Sequence, residues 1–171
     1  LFGKFSEVPA IICGAGPSLD KNIDILAKLH DRALIFAGAT GMNAINSKGV
    51  LPHFGLGVDP NPDQFTRLVI NHAYETPFFY RDRMRHDALD MIHGERLHVP
   101  GSSGYEIGKW VGEQIGIAEA TVSEGFNVLN FSVALASLMG CNPIICVGID
   151  LAYTDGKSYA SDIINPPIHD R

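Results

Sequence analysis

Gly14-Ala15-Gly16-Pro17-Ser18-Leu19-Asp20 stands directly behind the apolar run 8–13 and directly ahead of the helix-forming stretch 19–29. A strand that ends in small residues and turns at once into a helix aims backbone N–H groups and a positive helix end at one spot, where an anion is favoured. The glycines let a phosphate approach the main chain, and Ser18 is a good N-cap residue whose hydroxyl can also donate. The segment reads as a phosphate seat. A plain strand-to-helix turn with a serine cap is the simpler alternative, but it needs neither the second glycine nor the proline.

Two common kinds of anion loop do not fit. Gly14 and Gly16 supply the first two glycines of a dinucleotide fingerprint, but the third position holds Leu19. The second apolar run ends in Gly38-Ala39-Thr40-Gly41, with no acid for a ribose hydroxyl. No Gly-Lys-Ser/Thr follows the loop, so a Walker lysine is absent as well.

Other candidates stand at the ends of later apolar runs. Asn43 offers a side-chain amide, a paired donor and acceptor that can read a base or sugar, or else it caps a helix over 44–47. Asp59-Pro60-Asn61-Pro62-Asp63 is a stiff turn in which Asp59 or Asn61 caps the next helix, and a carboxylate there can also take a sugar hydroxyl or a metal. Gly101-Ser102-Ser103-Gly104 and Ser123-Glu124-Gly125-Phe126-Asn127 are small-residue connections that either line a pocket or simply join elements. Asp150 leads into Tyr153-Thr154-Asp155-Gly156-Lys157-Ser158-Tyr159, whose tyrosine hydroxyls can hydrogen-bond a departing phosphate unless the run is only an exposed loop. The seven histidines form no HxxxH or HExxH pair, and His86 and His93 have no carboxylate bracket. Ordinary surface histidines are expected, and no metal site.

The elements that must position these groups alternate. Short apolar runs at 8–13, 33–37, 54–58, 77–80, 96–99 and 143–149 predict strands; helical stretches lie at 19–29, 43–47, 63–71, 83–92, 105–115 and 128–139. Continuous apolar strands separated by helices predict an α/β, Rossmann-like fold, with a mostly parallel sheet covered by helices on both faces. Ligands collect at the carboxyl ends of such strands, which is where the candidates fall.

With 171 residues, 46% of them hydrophobic, the chain is expected to form one nucleotide-binding domain. A net charge of −6 without a Lys/Arg run excludes the basic footprint of duplex nucleic acid or an anionic membrane. Arg81, Arg83, Arg85 and His86, interleaved with Asp82 and Asp87, read as a solvated face. No apolar stretch approaches a membrane span, and Cys13, Cys141 and Cys146 read as small core residues in a reducing compartment. A soluble, cytoplasmic protein is expected. Leu1 at one end and the polar, proline-containing segment 161–170 at the other suggest a piece of a longer protein, whose catalytic groups need not all lie in it.

Gly14-Ala-Gly-Pro-Ser-Leu19, Gly41-Met-Asn43-Ala-Ile45, Val58-Asp59-Pro60, Asn127-Val-Leu-Asn130 and Val147-Gly-Ile-Asp150-Leu-Ala-Tyr153 together resemble the MptE-like family. That family joins archaeal 6-hydroxymethylpterin diphosphokinases to bacterial motility accessory factors, the Maf proteins proposed to glycosylate flagellin. The resemblance covers nearly the whole chain, and its specific parts are the opening motif and the closing run through Tyr159. Bacterial sialyltransferases that use CMP-sialic acid are more distantly similar, with a Gly-x-Gly-Pro-Ser-Leu loop and, behind Gly-Ile-Asp, two tyrosines spaced like Tyr153 and Tyr159.

By this resemblance the loop of Gly14, Ala15, Gly16, Pro17 and Ser18 would hold the nucleotide phosphate and Asn43 the nucleoside. Asp59, Gly125, Asn127 and Asp150 would complete the nucleotide site, and Tyr153 and Tyr159 would stabilise the leaving phosphate. Those enzymes deprotonate the acceptor with a histidine in a lid beyond the tyrosines; His169 is the histidine of that region, although Pro166-Pro-Ile-His-Asp170 does not match clearly. The implied activity is transfer of a sugar, such as a nonulosonic acid, from a CMP-activated donor to a protein or glycan without an obligatory metal. The alternative is pyrophosphoryl transfer from ATP to a hydroxymethylpterin, with Mg²⁺ on Asp59 and Asp150. A third reading is a module that binds a nucleotide without catalysis.

Overall fold

In a computed structural model, residues 1–69, 75–101, 105–117, 122, 125, 127–161 and 163 are described. Six strands form one sheet in which every pairing is parallel: β1 Ala10–Cys13, β2 Leu34–Gly38, β3 Phe54–Gly57, β4 Phe78–Tyr80, β5 Arg96–His98 and β6 Ile144–Val147. Their order across the sheet is β5-β4-β3-β2-β1-β6. The chain steps outward from β1 to β5 and then returns to lay β6 on the other side of β1. The order of the strands therefore reverses at β1, the place where such sheets open a crevice.

The period-2 alternation of the strands sorts their side chains between two cores. Ile11 and Cys13 on β1, with Ile35 and Ala37 on β2, face one layer with Leu19, Leu26, Met42, Ile45, Leu68 and Ile92. That layer is supplied by α1 Ile23–Lys28, α2 Ala39–Asn46, α3 Asp63–Val69 and α4 His86–Asp90, together with the short 3-10 helix Pro17–Lys21. Ala10, Ile12, Phe36, Leu56 and Phe79 face the opposite layer, where α6 Val128–Leu138 presents Phe131 and Leu135. Phe36, Phe131, Ile12 and Leu135 are fully buried, each contributing about 1.5–3 kcal/mol of transfer free energy. The remaining helix, α5 Glu106–Gln114, buries none of its residues.

The α/β fold and all six predicted strands are present. Three local expectations are corrected. The stretch 19–29 is divided into the 3-10 helix and α1, because Asn22 breaks the run as the cap between them. The helix expected from residue 43 starts at Ala39, directly at the end of β2. Cys146, expected inside, is exposed because β6 is an edge strand, and Ile145 beside it is 45% exposed; Cys13 and Cys141 are buried as expected.

Candidate functional site

A cleft of about 280 Å³ opens over the carboxyl ends of β1, β2 and β3. Gly14 and Ala15 form one wall, Ala39 and Thr40 at the start of α2 the next, and Asn127 and Val128 at the start of α6 another. Gly38 allows these two helix starts to meet: a Cβ there would lie 2.8 Å from Val128 Cγ1. The starts differ in what they offer. Asn127 caps α6, its Oδ1 accepting from Leu129 N and Asn130 N at 3.0 Å each, whereas α2 begins behind Gly38 without a side-chain cap. The first-turn N–H groups of α2 thus lack a side-chain acceptor at the edge of the cleft.

Charged side chains complete the lining. Arg67 reaches in from α3 and Arg83 from the turn behind β4, and among the described residues Asp59 is the one carboxylate in the lining. Asp59 is left facing the cleft because Asn61 serves the next helix, its Oδ1 accepting from Asp63 N at 2.9 Å. The surplus of positive charge over an uncapped helix start suits an anionic ligand with more than one charged oxygen. Cys13 lies on the floor, but burial pushes its thiol up to about 12, with Cys146 adding to the rise. It stays a thiol at neutral pH and is not a nucleophile.

Asn43 lies one turn behind Ala39 and Thr40 in α2, and the residue is only 7% exposed. Its reading as an N-cap is corrected, since the helix has already begun four residues earlier. Both amide atoms are buried without a hydrogen-bond partner among the described residues.

The loop 14–18 is organised differently from a helix-start phosphate seat. Gly14 N donates to Val147 O and Gly16 N to Gly148 O, both at 2.8 Å, so the loop runs on beside the end of β6. Ser18 is not a cap; its N–H and hydroxyl donate to Asp150 Oδ2 at 3.1 and 2.9 Å. Thr154 Oγ1 donates to the other oxygen, Oδ1, at 3.2 Å. Burial works to raise the Asp150 pKa, but the Ser18 and Thr154 hydrogen bonds and nearby Lys21 outweigh it and hold the carboxyl below its ordinary value. Glycine fits at 16 because a Cβ there would lie 2.8 Å from the backbone oxygen of Gly148 and would also crowd the Asp150 carboxylate that Ser18 holds. The loop therefore presents Gly14 and Ala15 to the cleft, and Gly16, Pro17 and Ser18 are not among its lining residues.

Tyr153 and Tyr159 stand on the Asp150 side of this loop and do not line the cleft; Tyr153 is 78% exposed and Tyr159 is half-buried. Their segment is anchored further on, where Ala160 N donates to Ala15 O at 2.8 Å and the Ser161 hydroxyl to Asp20 at 2.8 Å. Gly125 turns the chain ahead of α6 with φ of 61°. His169, Ser102, Ser103, Gly104, Ser123, Glu124 and Phe126 lie outside the described residues.

The basic run 81–86 is not a single solvated face. Arg81 is buried, donating to Val99 O at 3.2 Å, Pro100 O at 2.6 Å and Val122 O, with its guanidinium 5.0 Å from the Phe131 ring centre. Arg83 lines the cleft, and Arg85 pairs with Asp87 at the surface. Thr40, Arg67 and Arg83 had no site role in the sequence reading, which put Arg83 on a solvated face. The signal for Arg83 was present, since the residues behind the fourth strand meet the same strand-end criterion as those behind the others. His53 also departs from an ordinary surface histidine. It is half-buried, its Nδ1 accepts from Ile35 N at 3.0 Å, and burial, with His30 beside it, lowers its pKa.

Among the described residues no group of three His, Cys, Asp or Glu converges as a metal site, and no helix is long and apolar enough to cross a membrane. The family model described as 6-hydroxymethylpterin diphosphokinase MptE-like matches residues 1–156. An uncharacterized protein of Treponema pallidum (strain Nichols) is 31% identical over 86 residues, which is 50% of this chain and 39% of that protein. The structure of a Maf glycosyltransferase from Magnetospirillum magneticum AMB-1 has a similar fold, with a TM-score of 0.73 and 20% identity, over 88% of this chain and 24% of that one.

Proposed function

The chain belongs to the MptE-like family, and from that membership we propose that it is the nucleotide-binding domain of a Maf-type glycosyltransferase that uses a CMP-activated sugar. The observation that carries the reading is the cleft over β1–β3, where two guanidinium groups and the uncapped start of α2 face a small-residue wall. Asn43, with a buried and unpartnered amide just behind that wall, supports recognition of the nucleoside by a paired donor and acceptor.

In this reading the nucleotide phosphate lies between Gly14-Ala15 and Arg83, and the acceptor displaces it directly from the sugar. The phosphate departs as an anion, so Arg67, Arg83 and the helix start act on the charge that grows in the transition state. Tyr153 and Tyr159 are assigned to the same leaving group from the far side of the β1 loop, which holds their segment through Asp150 and Ala160. The sugar is a nonulosonic acid, and the acceptor is a protein or glycan. His169 is the acceptor base that the sialyltransferase resemblance suggests.

The family description favours the second reading, an ATP-dependent pterin diphosphokinase. It would ask Asp59 and Asp150 to share Mg²⁺, and the geometry argues against that pairing. Asp59 lines the cleft, while Asp150 is bonded to Ser18 and Thr154 behind the loop.

Calorimetry on the full chain separates the two. CMP is expected to bind without metal and to keep its affinity when a chelator is added. Failure of CMP and CMP-sugars to bind at millimolar concentration, together with Mg²⁺-dependent binding of ATP, would overturn the proposal.

A further inference from the structure

A second cavity, of about 290 Å³, lies farther along the same carboxyl edge, between the end of β5 and helix α5. Its walls are mostly apolar, with Ile107, Val111, Ile115 and Ile117 on one side and Pro100 on the other. The polar side chains of the lining, among the described residues, are Lys109 of α5 and a pair, His98 and Asp82, in which His98 Nε2 is hydrogen-bonded to Asp82 Oδ1. The Tyr80 ring lies 5.2 Å from the imidazole, centre to centre, because β4 and β5 pair Tyr80 with His98. A mostly apolar pocket with a few placed polar groups is the ordinary form of a small-molecule site.

The carboxylate decides what the imidazole can do. With Nε2–H donated to Asp82, the neutral ring keeps its lone pair on Nδ1, which is then an acceptor. The pair is also adjacent to the nucleotide cleft: Asp82 lines this cavity and the next residue, Arg83, lines the other. One short turn behind β4 separates them.

We propose that this cavity is the acceptor site and that His98, held by Asp82, is the base for the acceptor hydroxyl; this rests on the transferase reading above. The acceptor would carry an apolar flank that lies against α5 and a hydroxyl that meets Nδ1. As the hydroxyl oxygen forms a bond to the sugar carbon of the CMP-activated donor, its proton passes to Nδ1. The bond from that carbon to the phosphate oxygen breaks, and its electron pair leaves with CMP. His98 is the catalytic residue and Asp82 a positioning residue that fixes the tautomer. The assignment gives the base role to His98 in place of His169.

The test uses the full chain with ¹⁵N-labelled histidine, titrated with 4-nitrophenyl β-D-galactoside, which joins an apolar ring to sugar hydroxyls. The His98 signals are identified by their loss in His98→Gln. Saturable movement of the Nδ1 signal is expected. Gly112→Leu should weaken the galactoside at least tenfold by filling the cavity; a Cβ there makes only an ordinary 3.5 Å contact with Ile117 O, and leucine favours the helix. Asp82→Asn should change the tautomer signature of the ring and abolish the Nδ1 response. No His98 response in the wild type, or an equal response in Gly112→Leu, overturns the acceptor site. A parallel CMP titration keeps the two readings apart: CMP affinity within about twofold of wild type in Gly112→Leu is expected, whereas no CMP binding by the wild type defeats the donor reading alone.

Discussion

Among the described residues Asn43 has the largest unmet demand, with both amide atoms buried and unpartnered. A buried amide without partners costs about 1–3 kcal/mol, and a fold keeps such a group where something else meets the demand. Asn43→Leu, close in size and apolar, is therefore expected to leave the chain as stable as wild type or about 1 kcal/mol more stable, while CMP affinity falls at least tenfold. Urea unfolding and calorimetry on the same sample check both halves. Lower stability with unchanged affinity would make the amide part of the core. In the sequence Asn43 stood out for its chemistry, but the start of its helix was placed at 43, four residues past the Ala39 where it begins. Gly41 is there for packing, since a Cβ would lie 2.7 Å from Cys13 O. The His98–Asp82 pair was not legible at all. The two are 16 positions apart, and only the register of β4 and β5 brings them together.

At the scale of elements, the strands were the most legible part, because each is a short apolar run. The strand ends therefore led directly to Gly14, Ala15 and Asp59, and the small-residue turn that opens α6 led to Asn127. The helix starts were less legible. The expected helix behind Ser18 became a short 3-10 turn whose donors serve β6 and Asp150, and the uncapped start facing the cleft belongs to α2. The Ser18–Asp150 tie joins the β1 loop to the end of β6, and its strength depends on pH. The Asp150 carboxyl titrates lower in the fold than the ordinary 3.8, so between those two values the unfolded chain binds more protons and stability rises with pH. The contribution is complete above the ordinary value and is lost as pH falls through the folded one. Between about pH 7 and about pH 3, wild type should lose more stability than Asp150→Asn, as read from urea midpoints; equal losses would mean that the tie adds nothing.

For the whole molecule, the two sides of the sheet are unequal. Four helices pack on one face and α6 on the other, while α5 stands at the β5 end with Ile107, Trp110 and Ile115 all more than half exposed. The chain spans 39% of its Treponema relative and 24% of the Maf glycosyltransferase that shares its fold. Trp110, the single tryptophan, is 57% exposed, so the emission of the folded chain is expected to be that of a solvated indole already. Urea should move the emission maximum little, while far-UV circular dichroism records the loss of structure. A large red shift on unfolding would instead place the indole inside. Sheet order, unlike strand position, was beyond the sequence, because it depends on which side of β1 the last strand joins.

The segment that carries both tyrosines is fastened like a strap with two buckles. One is the Asp150 carboxylate, which holds Ser18 on one oxygen and Thr154 on the other; the second is the Ala15 carbonyl, which receives the Ala160 N–H. Ala15 also forms part of the cleft wall. A push on that wall is therefore transmitted through a single peptide group to the residue next to Tyr159, whereas Tyr153 lies at the other fastening, beside the Thr154 that Asp150 holds.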